Sequence, residues 1–121
     1  MTRYIRLTPM LLCMGVLFFL SHQPGSDSGP LLFSGEDKLM HMAAYGALSV
    51  TVILGFSAEF RAQHRWLVLT AGIVVPACFG ISDEYHQSFI TGRSSEFLDV
   101  VADMAGALLV SALWFFKSAE K

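Results

Sequence analysis

Four long apolar stretches, at about residues 4–20, 39–58, 66–86 and 97–116, are separated by short polar segments along the chain. Each is close to the roughly 20 residues that a helix needs to cross about 30 Å of hydrocarbon. The pattern predicts an all-α polytopic membrane protein built as a bundle of four transmembrane helices. Pro76 falls inside the third stretch, where its missing N–H and its ring predict a kink. Trp66 and Trp114 stand near span ends, as interfacial aromatics do. The first stretch is short and carries Arg3 and Arg6, so it also has the build of a signal peptide. The SHQPGSDSGP that follows lacks a small-x-small cleavage pattern, and the stretch reads as a retained helix.

Composition supports the same class. Of 121 residues, 54% are hydrophobic and only 15% charged, with a mean hydropathy of +0.54, too little polar surface to clothe a soluble globule of this size. One domain spanning residues 1–121 is expected. The net charge of -2 and the lack of any Lys/Arg run argue against nucleic acid as a partner. Cys13 and Cys78 lie in apolar runs, where a thiol behaves as a small hydrophobe rather than half of a structural disulfide.

Positive charge in the loops gives an orientation. With both termini cytoplasmic, Arg3, Arg6, Arg61, Arg65, Lys117 and Lys121 are inside and only Lys38 and Arg93 outside. Residues 21–37 and 88–96 then share the outer face, and the EFRAQHR turn at 59–65 is a solvated cytoplasmic cap. The Ser-, Gly- and Pro-rich loop at 21–35 is either a lid over the outer face or a plain connector.

The chemistry collects on that outer face. In the second span Asp37, His41 and Tyr45 follow at i, i+4 and i+8 on one helix face. At the end of the third, Asp83, His86 and Gln87 follow at i, i+3 and i+4, with Glu84 on a neighbouring face. In the fourth, Asp99, Asp103 and Gly106 form a stripe at i, i+4 and i+7. Three helix ends thus offer polar stripes to one shared cavity. Blander readings stand beside this one. Asp37 and Asp99 suit helix starts electrostatically, Tyr45 suits amphipathic packing, His41 suits a neutral bridge between helices, and Lys38 and Glu36 suit solvated interfacial charges. Arg93 pairs either with Glu96 in its own loop or with Asp83 or Asp99. Asp103 is harder to explain away, because a carboxylate about one turn deeper needs a partner or a wet cavity. Small residues at Ala102 and Gly106, and at Ala43 and Ala47, allow close helix contact within the chain or in a homo-oligomer.

Taken together, DKLMHMAAYGAL and DEYHQSFITGRSSEFLDVVADMAG resemble the VanZ-like family of small bacterial membrane proteins, over the last three spans. The family pattern has D-K-x-x-H with a following Tyr, D-E-x-x-Q-x-F, an Arg, and D-x-x-x-N-x-x-G. It maps onto Asp37, Lys38, His41 and Tyr45, onto Asp83, Glu84, Gln87 and Phe89, and onto Arg93, Asp99 and Gly106. Asp103 stands where an Asn is common, and Thr91 where a Pro is frequent. The resemblance implies a multi-pass protein of the bacterial cytoplasmic (inner) membrane. It also implies a link to the cell envelope, since the family takes its name from a protein associated with low-level resistance to teicoplanin, a lipoglycopeptide.

Three classes of function are open. One is binding of an amphiphilic envelope molecule or membrane lipid, with Lys38, His41, Tyr45, Gln87 and Arg93 meeting its polar part. A second is an intramembrane hydrolase or transferase on a lipid-linked substrate, its catalytic groups drawn from Asp37, His41, Asp83, Glu84, Asp99 and Asp103. A divalent metal at His41, Asp83, Asp99 and Asp103 is a variant of it. The third is a structural network that only ties the helices together. No nucleophile paired with a base in a recognised motif, no glycine-rich phosphate loop and no zinc-spaced Cys/His set narrows the choice.

Overall fold

Long apolar segments leave the backbone no solvent to bond with, and a helix satisfies its N–H and C=O groups within the segment. The computed structural model describes residues 2–23, 35–92 and 96–120. Among them the chain forms α1 (Arg3–His22), α2 (Glu36–Gly55), α3 (Ala58–Gln63), α4 (Arg65–Gln87) and α5 (Phe97–Ala119), with no strand. α1, α2, α4 and α5 are each long and apolar enough to cross a membrane. α4 runs without interruption through the buried Pro76.

One segment differs from its sequence reading. The second span ends at Gly55 rather than reaching residue 58, and part of the expected turn at 59–65 is the short helix α3. Ser57 is the cause: its hydroxyl accepts a hydrogen bond from the Phe60 amide at 3.1 Å and caps a new helix start. Arg61 closes the corner by donating to the Phe56 carbonyl at 2.8 Å.

The long helices run up and down, with α2 packed against α1, α4 and α5. The faces that meet are built from small residues. α4 buries Val68, Gly72, Pro76 and Gly80 at steps of four, and α5 buries Ala102, Gly106, Ala107 and Ser111. α2 and α5 cross most closely at Gly106, where any Cβ would overlap the backbone of Met42, and at Gly46, where one would lie 3.1 Å from Val110. Ala102 and Gly106 therefore serve contact within the chain, whereas Ala43 and Ala47 are exposed on the outside of α2. Deeper in the bundle the Ser49 hydroxyl donates to the Gly72 carbonyl at 2.8 Å and lies 2.8 Å from Ser111 Oγ, tying α2, α4 and α5 together. Large apolar side chains such as Leu108, Leu109, Leu113 and Phe116 point outward, as lipid-facing positions do. α1 buries only Ser21 and is the least enclosed of the four.

Candidate functional site

The end of the bundle where α2 and α5 begin and α4 finishes gathers most of the chain's carboxylates. The spacing of α2 sets the first wall. Asp37, His41 and Tyr45 share a face, the His41 and Tyr45 rings stack 6.4 Å apart, and each of the three is engaged by a charged group. His41 Nδ1 lies 2.7 Å from Asp103 Oδ1 on α5. The Tyr45 hydroxyl donates to Asp83 Oδ2 on α4 at 3.2 Å. Asp37 Oδ2 accepts from Lys38 Nζ at 2.9 Å.

Lys38 is the electrostatic centre of the outermost layer. Its ammonium also donates to Glu96 Oε2 at 2.8 Å and to Asp99 Oδ1. An ammonium has three N–H groups, and here three carboxylates take them. Lys38 is thus a clamp between the starts of α2 and α5 rather than a solvated interfacial charge. Glu96, read from sequence only as a partner for Arg93, is part of this clamp, and its backbone amide donates to Glu84 Oε2 at 3.3 Å, which brings in α4.

The stripe on α4 is shifted from the one read off the sequence. The buried polar residues are Asp83, Glu84 and Gln87, and His86 turns away to α1. There its Nε2 lies 3.1 Å from His22 Nδ1 and its ring stacks on Phe18. The reason is packing: Gly72, Pro76 and Gly80 lie on the buried face of α4. These four-residue steps mark the face of α4 that the side chains of Ile53, Ser111, Tyr45 and Asp103 approach, and the next step falls on Glu84. The α5 stripe lies as its spacing predicts, with Asp99, Asp103 and Gly106 all buried. Phe89 is exposed. Arg93 and residues 24–34 of the loop read as a lid or connector lie outside the described residues.

Asp103 is 1% exposed, about 9 Å along α5 from its start at 1.5 Å per residue. Its Oδ2 faces α4, where a Cβ at Gly80 would lie 2.9 Å away. Asp103 Oδ2 and Asp83 Oδ1 are both buried and accept no hydrogen bond from the described residues. A buried carboxylate oxygen without a donor costs free energy, which native networks normally avoid.

This arrangement holds a histidine in a defined state. With Nδ1–H donated to Asp103, Nε2 carries the lone pair. Nε2 faces the opposite way, 3.9 Å from Asp99 Oδ1. Ligand atoms of His41, Glu84 and Asp99 all lie within 4.8 Å of one another, close enough for one divalent ion. A nitrogen with two carboxylates suits Mn or Zn, and Asp103 on the other ring nitrogen is the outer-shell carboxylate that such histidines usually carry. Relative to the set read from sequence, Glu84 joins, Asp83 is turned to Tyr45, and Asp103 stands behind the imidazole. Lys38 already binds Asp99, so an ion here competes with the ammonium.

Comparison with known proteins adds three findings. The family model described as VanZ/LLP1 matches residues 7–118, which extends the likeness into α1. An uncharacterized protein of the fission yeast Schizosaccharomyces pombe is 28% identical over 89 residues, covering 71% of this chain and 52% of that protein. The chain thus spans about half the length of this curated relative. No solved structure matches.

Proposed function

This chain belongs to the VanZ/LLP1 family of multi-pass membrane proteins, and from that premise we propose that it binds the polar part of an amphiphilic envelope molecule at the α2/α4/α5 end of the bundle. The observation that carries the reading is a set of buried polar side chains from two helices, Asp83, Glu84 and Gln87 on α4 and Asp99 and Asp103 on α5. Asp83 Oδ1 and Asp103 Oδ2 accept no hydrogen bond from a described residue. A network built only to hold helices together is expected to close its hydrogen bonds. A ligand rich in hydroxyl, amide or ammonium donors closes them, while its acyl part lies among the lipid-facing helices. Lipoglycopeptides and lipid-linked sugars are of this chemistry. The distribution of Lys and Arg supports both termini in the cytoplasm and the site on the outer side of the membrane.

The test is mass spectrometry of molecules that co-purify with the detergent-solubilised protein. The expected result is an amphiphile enriched over bulk lipid with the native chain and lost with Asp83→Asn or Asp103→Asn. Bulk phospholipid alone in every sample overturns the reading.

A second reading, hydrolysis or transfer on a lipid-linked substrate, is favoured by the His41 and Asp103 pair. An imidazole held by a carboxylate at Nδ1 presents Nε2 as a general base, and Glu84 and Asp99 lie close enough to share a proton or a metal ion with it. Release of a soluble headgroup that disappears in His41→Gln supports this reading; release that survives the substitution removes it.

A further inference from the structure

The opposite end of the molecule carries a feature of different chemistry. A cavity of about 760 Å³ opens between α1, the end of α2, α3 and α4, within the size range of small-molecule sites. Its inner part is formed by Met10, Val52, Ala71 and Val75. Val75 lies about 15 Å along α4 from Arg65 at 1.5 Å per residue, so the cavity reaches toward the middle of the bundle. Its entrance carries Phe56, whose ring stacks 5.2 Å from that of Phe60, together with Arg3 and Arg6. The two arginines are one turn apart on α1.

The lining selects the occupant. A free inorganic anion gains nothing from an apolar interior, and a neutral hydrocarbon gains nothing from two guanidinium groups. An anionic amphiphile uses both. The charge of the whole end agrees, since Arg61, Arg65 and Lys117 lie there as well. Glu59 and Glu120 are the opposing acids among the described residues of this end; the Glu59 carboxyl is held below the usual range by its own backbone amide and the Ser57 hydroxyl, and to a smaller extent by Arg6 and Arg61. By the positive-inside rule this is the cytoplasmic end, where the leaflet is rich in anionic lipid.

We propose that the α1/α2/α3/α4 cavity binds one anionic phospholipid, with an acyl chain running in toward Met10 and Val75 and the phosphate held by Arg3 and Arg6. Arg suits this role because its planar fork meets two phosphate oxygens at once. The site lies at the other end of the bundle from the carboxylate cluster and shares no residue with it.

Native mass spectrometry of the full chain in detergent tests the assignment, with phosphatidylglycerol, phosphatidylcholine of identical chains, and glycerol phosphate as probes. The native chain is expected to retain phosphatidylglycerol over phosphatidylcholine by about fivefold or more, the effect of roughly one interfacial arginine. The double variant Arg3→Gln/Arg6→Gln is expected to lose that preference. Ala71→Phe, which fills the cavity, is expected to lose retention of both lipids, with Val75→Trp as a second filler if the first does not fold. Equal retention of the two lipids by the native chain, or a preference that survives loss of both arginines, overturns the proposal. Competition by glycerol phosphate as strong as by phosphatidylglycerol overturns it in favour of a headgroup-only site.

Discussion

His41 Nδ1 and Asp103 Oδ1 are 2.7 Å apart across the α2/α5 interface, and they join two residues 62 positions distant in sequence. The hydrogen bond fixes the imidazole tautomer and supplies a donor to a carboxylate that is 1% exposed. Removing one partner of such a pair leaves the other buried and uncompensated. His41→Ala is therefore expected to lower stability by about 3–5 kcal/mol, measured by thermal melting in detergent. Asp103→Asn keeps an acceptor for Nδ1–H and is expected to cost much less. Equal losses in the two variants would mean that the hydrogen bond to position 103 is not what holds His41.

Lys38 gives a second prediction, because three carboxylates depend on one ammonium. Lys38→Met strands Asp37, Glu96 and Asp99 together and is expected to destabilise by about 2–4 kcal/mol, less than a fully buried pair because the layer is partly wet. Adding Asp99→Asn to Lys38→Met is expected to restore part of the loss. A double-mutant cycle by denaturant or thermal unfolding measures the coupling, and strict additivity would show that the clamp carries no energy.

The same lysine controls whether a cation can sit beside His41. Removing it frees Asp99 to join His41 and Glu84 as a ligand. Lys38→Met is expected to tighten Mn binding about tenfold or more, equivalent to about 1.4 kcal/mol, followed by electron paramagnetic resonance of the purified protein. Glu84→Gln in that background is expected to abolish the gain. Unchanged Mn affinity in Lys38→Met would mean that ion and ammonium do not share Asp99.

Close approach of two backbones makes Gly106 sensitive to its smallest change. A Cβ there would overlap Met42 of α2, so Gly106→Ala must part the two helices and loosen the His41 and Asp103 pair one turn away. A loss of about 1–3 kcal/mol is expected, in the range of overpacked core sites. Ala43→Leu, on the exposed side of α2, is expected to stay within about 0.5 kcal/mol. Thermal melting of the two variants side by side distinguishes a tight crossing from a tolerant one.

Much of this was legible along the chain. The four spans follow from uninterrupted apolar length, because a bilayer leaves helices as the economical way to close backbone hydrogen bonds. The membership of Asp37, His41, Tyr45, Asp99 and Asp103 in two stripes follows from 3.6 residues per turn. The short helix after Ser57 was missed because the site of a cap was read as a solvated turn.

The partners were decided by the tertiary structure. Periodicity along α4 admitted His86 as readily as Glu84 to the polar face, and only packing against α1 and α5 sends His86 to His22 and Phe18 and Glu84 to the site. Lys38 looked like an interfacial charge until the start of α5 was set beside it. The sequence by itself determined which residues are costly to bury in a membrane, because that cost belongs to each side chain. Which of them compensate one another was decided by helix rotation and the Gly46/Gly106 crossing, because Coulomb and hydrogen-bond energies fall off over a few ångströms and depend on neighbours that sequence distance does not give.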